Sequence, residues 1–209
     1  KALEQHAGLD SLYIQVISDA LSKLYGDVDF EAIFWGTFSA LLVVRESLPL
    51  SVLAYLLLCQ PEKIQLALDN CGSILMIPDN NDPIRFYHAS LPQFLMDRGR
   101  SGKYYRNPGE CHTLVVDGCA SVMEKLWSGN KVNIDANLDR ACKYACSMWF
   151  YHVMDAVEKK NGVIKEDVLS RWDTNSPLQQ EASLFNSKGQ VLRVPVEAVD
   201  CSDPVFFLQ

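Results

Sequence analysis

The stretch FEAIFWGTFSALLVV, residues 30–44, restricts this chain more than any other. Opened by Asp29, it reads as a helix that is apolar on nearly every side, and such a helix has to be covered by neighbours all round. A membrane is one way to cover it. The apolar zone runs from Ala32 to Cys59, but Arg45, Glu46 and Pro49 divide it. Each half is about 12 residues, short of the roughly 20 a membrane helix needs. Two buried helices are expected, and no membrane partner.

The rest of the chain has to supply the cover. Its 209 residues suffice for one large domain or two small ones, and 48% hydrophobic content with 22% charge is that of a globular protein with a core. A net charge of −7 disfavours general nucleic-acid binding, which needs a basic face to displace phosphate counterions. Seven cysteines, odd in number and irregularly spaced with no signal peptide ahead of them, point to reduced thiols in the cytosol or nucleus, and a cytoplasmic chain is expected. A start at Lys1 instead of Met leads us to expect a fragment or a processed product.

Upstream of the apolar helix, Leu9, Leu12, Val16, Ala20 and Leu24 recur at helical spacing after Asp10 as N-cap, with Gly26 as the stop. Residues 1–26 are therefore expected to be the end of a preceding helical segment. Downstream, Ser51 is expected to cap a short helix, and Pro61 falls in the first turn of another, where its missing N–H costs nothing. The period then changes. Ser73–Ile77 and Ile84–His88 are β-prone runs around PDNNDP, which reads as a hairpin. Helix, short helix, helix and hairpin is the order of a winged helix, expected over residues 27–99.

Ser90 and Gln93 then stand at capping-box spacing, with Pro92 tolerated in the first turn of a helix through Asp97. RGRSGKYYRNPG reads as an exposed linker. A helical domain is expected over 100–160, an antiparallel pair joined by SGNKVNIDAN. One helix has Val115, Cys119, Val122 and Leu126 inward; the other has Leu138, Ala141 or Cys142, Ala145, Trp149 and Val153 inward. Residues 161–209 form an uncertain tail, with one turn of helix readable in KEDVLSRW. The fold class is mainly α with a small β-hairpin, a winged helix followed by a helical domain.

Chemistry-bearing patterns are few. GRSGKYY fails as a phosphate-binding loop, because Asp97 stands where a Gly is required, Tyr104 where Ser or Thr is required, and no strand leads in. As a DNA-reading helix, PEKIQLALDN offers Gln65 and Asn70 for bases but only one lysine for phosphates. Cys142, Cys146 and His152 share one helix, yet His152 lies about 80° round from Cys142, so one metal cannot collect all three. Cys119, or Cys111 with His112, would complete a set only through the tertiary fold. Core packing is the expected role of these thiols.

His88 is better placed. It closes a strand two residues before Ser90, so its imidazole reaches the space ahead of a helix N-terminus, which favours an anion. The competing reading is a structural histidine bonded to a backbone carbonyl.

The segments LDSLYIQVIS, LLVVRESLPLSVLAYLL, SILMIPDNNDPIRFYHASLPQFLMD and LDRACKYACSMWFYHV, in that order, resemble the region after the nucleotide-binding core of fungal NACHT-type NTPases. These belong to the STAND signalling ATPases, which include the NOD-like receptors. The resemblance covers residues 9 to 155. Its most specific part is IR-x-x-H-x-S-x-x-x-FL, met as Ile84-Arg85, His88, Ser90 and Phe94-Leu95.

What the resemblance implies is a winged helix folded back on the nucleotide-binding domain of the same protein. His88 would contact the phosphates of bound ADP, with Ser90, Phe94 and Arg85 as supports. Ala145-Cys146, Trp149 and His152 match a packing pattern of the following helices. Leu91 and Pro92 depart from the family, which has Phe and a charged residue there. The phosphate-binding lysine and the Mg²⁺-binding acids are not in this chain, so it is expected to be no enzyme by itself. ADP or ATP with Mg²⁺ would bind only in a complete parent protein. One histidine contact contributes about 1.5–3 kcal/mol, against the roughly 8 kcal/mol of a micromolar ligand. The alternative is a stand-alone protein-interaction module, with protein partners or oligomerisation and no nucleotide. A DNA-binding regulator is the weakest reading.

Overall fold

The computed structural model describes residues 2–24, 26–79, 81–127 and 135–159. All of them lie within one compact unit, Lys1–Val163. The expected tail at 161–209, including KEDVLSRW, and the side chain of Leu126 fall outside the described residues.

Helix α1, Ala2–Lys23, begins well before Asp10, so Asp10 caps nothing. Its carboxylate instead accepts two hydrogen bonds from the Arg100 guanidinium, at 2.6 and 3.0 Å. The buried stripe of α1 is also turned from the expected one: Tyr13, Ile17 and Ala20 face inward while Leu12 is exposed. The partner decides this, since the Tyr13 ring packs at 5.5 Å on Phe94. Gly26, at φ +93, ends the run as expected.

Helix α2, Val28–Val43, is capped by Asp27 and not by Asp29; the Asp27 carboxylate accepts the Phe30 N–H. Asp29 lies in the first turn, where a negative charge also complements the helix dipole. From Phe34 onward most of this helix is buried, with Phe34, Phe38 and Ala40 fully enclosed, but Trp35, Gly36 and Leu42 are only half-buried, so the all-round cover expected is incomplete. Helix α3, Leu50–Leu56, starts from Pro49 with no side-chain cap. Ser51, the expected cap, donates instead to Asn81 or Asn137. Helix α4, Pro61–Leu68, opens on Pro61 as expected and continues into a tight helical turn, Asp69–Cys71.

Strands β1, Leu75–Met76, and β2, Arg85–Phe86, pair antiparallel with Leu75 opposite Phe86 and Met76 opposite Arg85. They are short because Pro78 and Pro83 flank them and donate no ladder bond. The segment before α3 adds an edge, through the Pro49–Pro83 bridge and the Ile84 N–H donated to the Leu48 carbonyl at 3.1 Å. Helix, short helix, helix and hairpin follow in the expected order, and the edge segment is an addition that the expectation did not include.

Helix α5, Ser90–Leu95, is followed by α6, Arg98–Ser101, which Asp97 caps by accepting the Gly99 and Arg100 N–H groups. The expected exposed linker is therefore not one. Ser101 and Tyr104 are buried, the Arg106 N–H donates to the Leu95 carbonyl, and the Arg106 guanidinium lies 4.1 Å over the Trp35 ring. Cation–π contact and the Asp10 pair turn a hydrophilic segment into a packed one.

Helices α7, Pro108–Trp127, and α8, Ala136–Glu158, form the expected antiparallel pair. Val115, Cys119, Val122, Leu138, Ala141, Cys142, Ala145 and Val153 are buried as expected, whereas Trp149 is half-exposed.

Candidate functional site

His88 is exposed, at the turn between β2 and α5. The Ser90 backbone N–H donates to its Nδ1 at 3.1 Å. A backbone amide can only donate, so Nδ1 is an acceptor and the ring proton sits on Nε2. The Ser90 hydroxyl, 2.7 Å from the same Nδ1, also donates to it, and accepts in turn from the Tyr13 hydroxyl at 2.7 Å. A directed chain thus runs from Tyr13 through Ser90 to His88. Its first two members are buried, at 3% and 4% exposure, so the tautomer is fixed from inside the fold.

Ser90 and Phe94 support His88, but Ser90 not as expected. The capping box does not form: the N-cap is Ala89, and the Ser90 hydroxyl is spent on His88 and Tyr13. Phe94 is fully buried against Tyr13. The helix-terminus argument for an anion also changes. Helix α5 has 6 residues, the Ser90 N–H is occupied by His88, and the Leu91 N–H by the His88 carbonyl. The donor left to offer is the Nε2–H of His88.

Arg85 is exposed on β2 and borders a hollow of about 500 Å³ with Arg45, Glu46, Phe86, Ala89 and Pro92, so it does not brace His88 directly. Leu91 is buried in the core, and Pro92 stands in the first turn of α5, where no intrahelical N–H is required.

The thiols do what packing predicts. Cys71, Cys111, Cys119 and Cys142 are buried and unbridged, and burial pushes the Cys71 thiol up to about 12. Burial raises Cys119 further still. Among the described residues no group of three or more potential ligands could hold a metal. Cys142, Cys146 and His152 are not brought together as a site.

His152 has other partners, which the sequence reading missed. It is fully buried, with Nδ1 2.9 Å from Nδ1 of His112 and Nε2 2.8 Å from the Tyr144 hydroxyl. The Tyr144 oxygen accepts the Arg45 backbone N–H at 3.2 Å. On the far side, His112 Nε2 is 3.5 Å from Asp155 Oδ2 and 3.4 Å from Lys159 Nζ, and Asp155 accepts from the Arg45 guanidinium at 2.7 Å.

One proton arrangement gives the hydroxyl proton of Tyr144 an acceptor. Tyr144 then donates to His152 Nε2 and His152 Nδ1–H to His112 Nδ1, which turns His112 Nε2–H towards Asp155 and leaves no bond from the donor-only Lys159 ammonium; a bond from Lys159 to Nε2 would reverse the direction of the chain. The circuit closes through Arg45, whose backbone and side chain hold its two ends. Burial pushes both imidazoles down to about 4; His112 and then Arg45 add to this at His152, while Asp155 opposes it at both. Both rings are therefore neutral near pH 7. With His112 and His152 sealed from solvent, the circuit locks α7 to α8 and to the segment after α2.

The DNA reading gains nothing. Asn70 accepts a hydrogen bond from Lys23, and Gln65 is exposed beside Glu62 and Lys63. Among the described residues no helix is long and apolar enough to cross a membrane. Compared with protein-family models, with curated proteins and with solved structures, the chain matches none.

Proposed function

We propose that the chain is the regulatory winged-helix and helical portion of a cytoplasmic NACHT-type signalling NTPase, in which His88 reports nucleotide state. The phosphate-binding loop and Mg²⁺-binding acids would lie in the nucleotide-binding domain of the same protein, and this portion would not hydrolyse nucleotide itself. The observation that carries the reading is the fixed tautomer of His88: a buried relay, Tyr13 to Ser90 to Nδ1, leaves an Nε2–H donor on an exposed ring. In that form the solvent-facing nitrogen carries the proton and can donate to a phosphate oxygen. A switch requires a contact made in one state and lost in the other. A bond from His88 to ADP would be that contact.

The test uses the longest natural product that contains this chain, purified with whatever nucleotide it retains. His88→Ala should speed ADP release by about 10- to 150-fold, the range of a charge-assisted hydrogen bond. An unchanged release rate would sink the sensor role. A product that retains no nucleotide would favour the stand-alone interaction module.

A further inference from the structure

A groove of about 420 Å³ runs beside α2, between the end of α3 and α7. Its floor is apolar: Ile33, Gly36, Leu57 and Leu114. It continues past Ala32 into a second hollow that reaches Asp29 and Lys63. Along α2, from Asp29 to Gly36, the groove spans about 10 Å, two turns of a docked helix.

Leu58 stands at its edge, in a conformation that leucine rarely adopts. The Cys59 N–H donates to the Ala54 carbonyl and the Leu58 N–H to the Tyr55 carbonyl, the bonding of a Schellman helix end. Leu58 occupies the position where glycine is usual, at φ +53. Its side chain gains little from the fold, being 57% exposed. A strained backbone that holds an apolar side chain out into solvent, over an apolar floor, has no account among the described residues.

We infer that the groove receives an amphipathic helix from a protein partner, apolar along one stripe and basic on its flanks. The charge on the rim selects that partner. Asp29, Glu110 and Asp117 line the groove against the single ammonium of Lys63. A second copy of this chain is disfavoured, because it would bring a net charge of −7 towards another −7. Leu58 is the knob that enters the partner's stripe, and Gly36 leaves room for an apolar residue of the partner, in the manner of a helix laid in a groove.

The probe is a fluorescein-labelled helical peptide of Leu and Lys, with Leu at i, i+3, i+4 and i+7, titrated into the full chain. Its twin carries Glu for every Lys. The Lys peptide should bind saturably and the Glu peptide should not. Leu58→Gly should weaken binding at least 10-fold while the Tm rises by up to about 4 °C, because glycine relieves the strain. Gly36→Met should weaken binding by filling the floor, and Glu110→Lys should shift preference towards the Glu peptide. Equal binding of both peptides, or Lys-peptide binding untouched by Leu58→Gly, overturns the inference. A fall in Tm for Leu58→Gly removes the strain argument and the inference with it. A dimer in sedimentation that Leu58→Gly dissolves overturns it in favour of self-association.

Discussion

Two helical glycines should respond to the same substitution with opposite signs. Gly36 lies within α2, and a Cβ built on it would sit 3.7 Å from Leu57 Cδ2 and 3.9 Å from Leu114 Cδ1, ordinary contact distances. Gly36→Ala should therefore show the propensity gain alone, about 1 kcal/mol of added stability. Gly118 lies within α7 where the helix meets the end of α3. A Cβ there would be 2.1 Å from the Leu56 carbonyl oxygen, 2.9 Å from its carbon and 3.1 Å from its Cα. Carbon and oxygen in favourable contact stand roughly 3.3 Å apart, so the helices must separate by about 1 Å.

The obstacle is backbone and cannot rotate away. Leu53, Val115 and Cys119 beside it are fully buried, so separation thins their packing as well. Overpacking costs about 1–3 kcal/mol when side chains can adjust and more when they cannot. We take about 3–5 kcal/mol here, offset by the same 1 kcal/mol of propensity, a net loss of about 2–4 kcal/mol. Urea unfolding followed by circular dichroism measures both. With a slope of about 2–3 kcal/mol/M, the midpoint for Gly118→Ala should fall by about 1 M and that for Gly36→Ala should rise by a few tenths. A Gly118→Ala midpoint at or above the parent's would refute the close approach of α7 to α3.

Two further outcomes follow from the buried groups. His112 and His152 are pushed down from 6.5 to about 4 by burial, so the unfolded chain binds more protons between those values. Stability should be fully present above about pH 6.5 and should decline as the pH falls towards 4, by about 3 kcal/mol for the first proton taken up. Replacing both histidines by Gln should flatten urea midpoints across that range; a parent protein whose midpoint does not move with pH would contradict the circuit. Among the cysteines described here, native alkylation should reach half-buried Cys59 and Cys146 well before Cys71, Cys111, Cys119 and Cys142, read by mass spectrometry of timed digests. Early labelling of Cys119 would mean that the α7–α8 interface opens easily.

What the sequence made legible was local. The apolar run of α2, Pro61 at the head of α4 and the PDNNDP turn each signal their element through their own residues, and each is found where expected. Apart from N-caps misplaced by two residues at α2 and α3, the failures are long-range. Two stripes on α1 fit a helix equally well, and only packing against Phe94 selects the one with Tyr13 and Ile17. The segment RGRSGKYYRNPG looked hydrophilic because Arg100 finds its partner Asp10 at a separation of 90 residues, and Arg106 finds Trp35 across the fold. Ser90 had two local options, a capping box or His88, and the buried Tyr13 hydroxyl favoured the second. The pairing of His112 with His152 did leave a trace: the two lie about equally far from the C-terminal end of α7 and the N-terminal end of α8, which is where facing residues of an antiparallel pair belong.

These long-range contacts also bear on how the proposed switch would move. A winged helix and a following helical domain invite the picture of two bodies hinged near residue 99. Three sets of contacts cross that point: Arg106 stacked on Trp35, Gly118 against the Leu56 backbone, and Arg45 bonded to both Tyr144 and Asp155. Each joins the winged-helix residues to α7, α8 or the segment leading into them, and the last is part of a buried closed circuit. Bending there would break a part-buried backbone hydrogen bond and an ion pair at the edge of the interface, each worth about 0.5–1.5 kcal/mol, and would separate α7 from the Leu56 backbone. His88 is tied to the same body through Tyr13 and Ser90. A gain or loss of phosphate at Nε2 would then be carried by the hairpin and the helical pair as one piece, turning against the proposed nucleotide-binding domain, with no flexing between them.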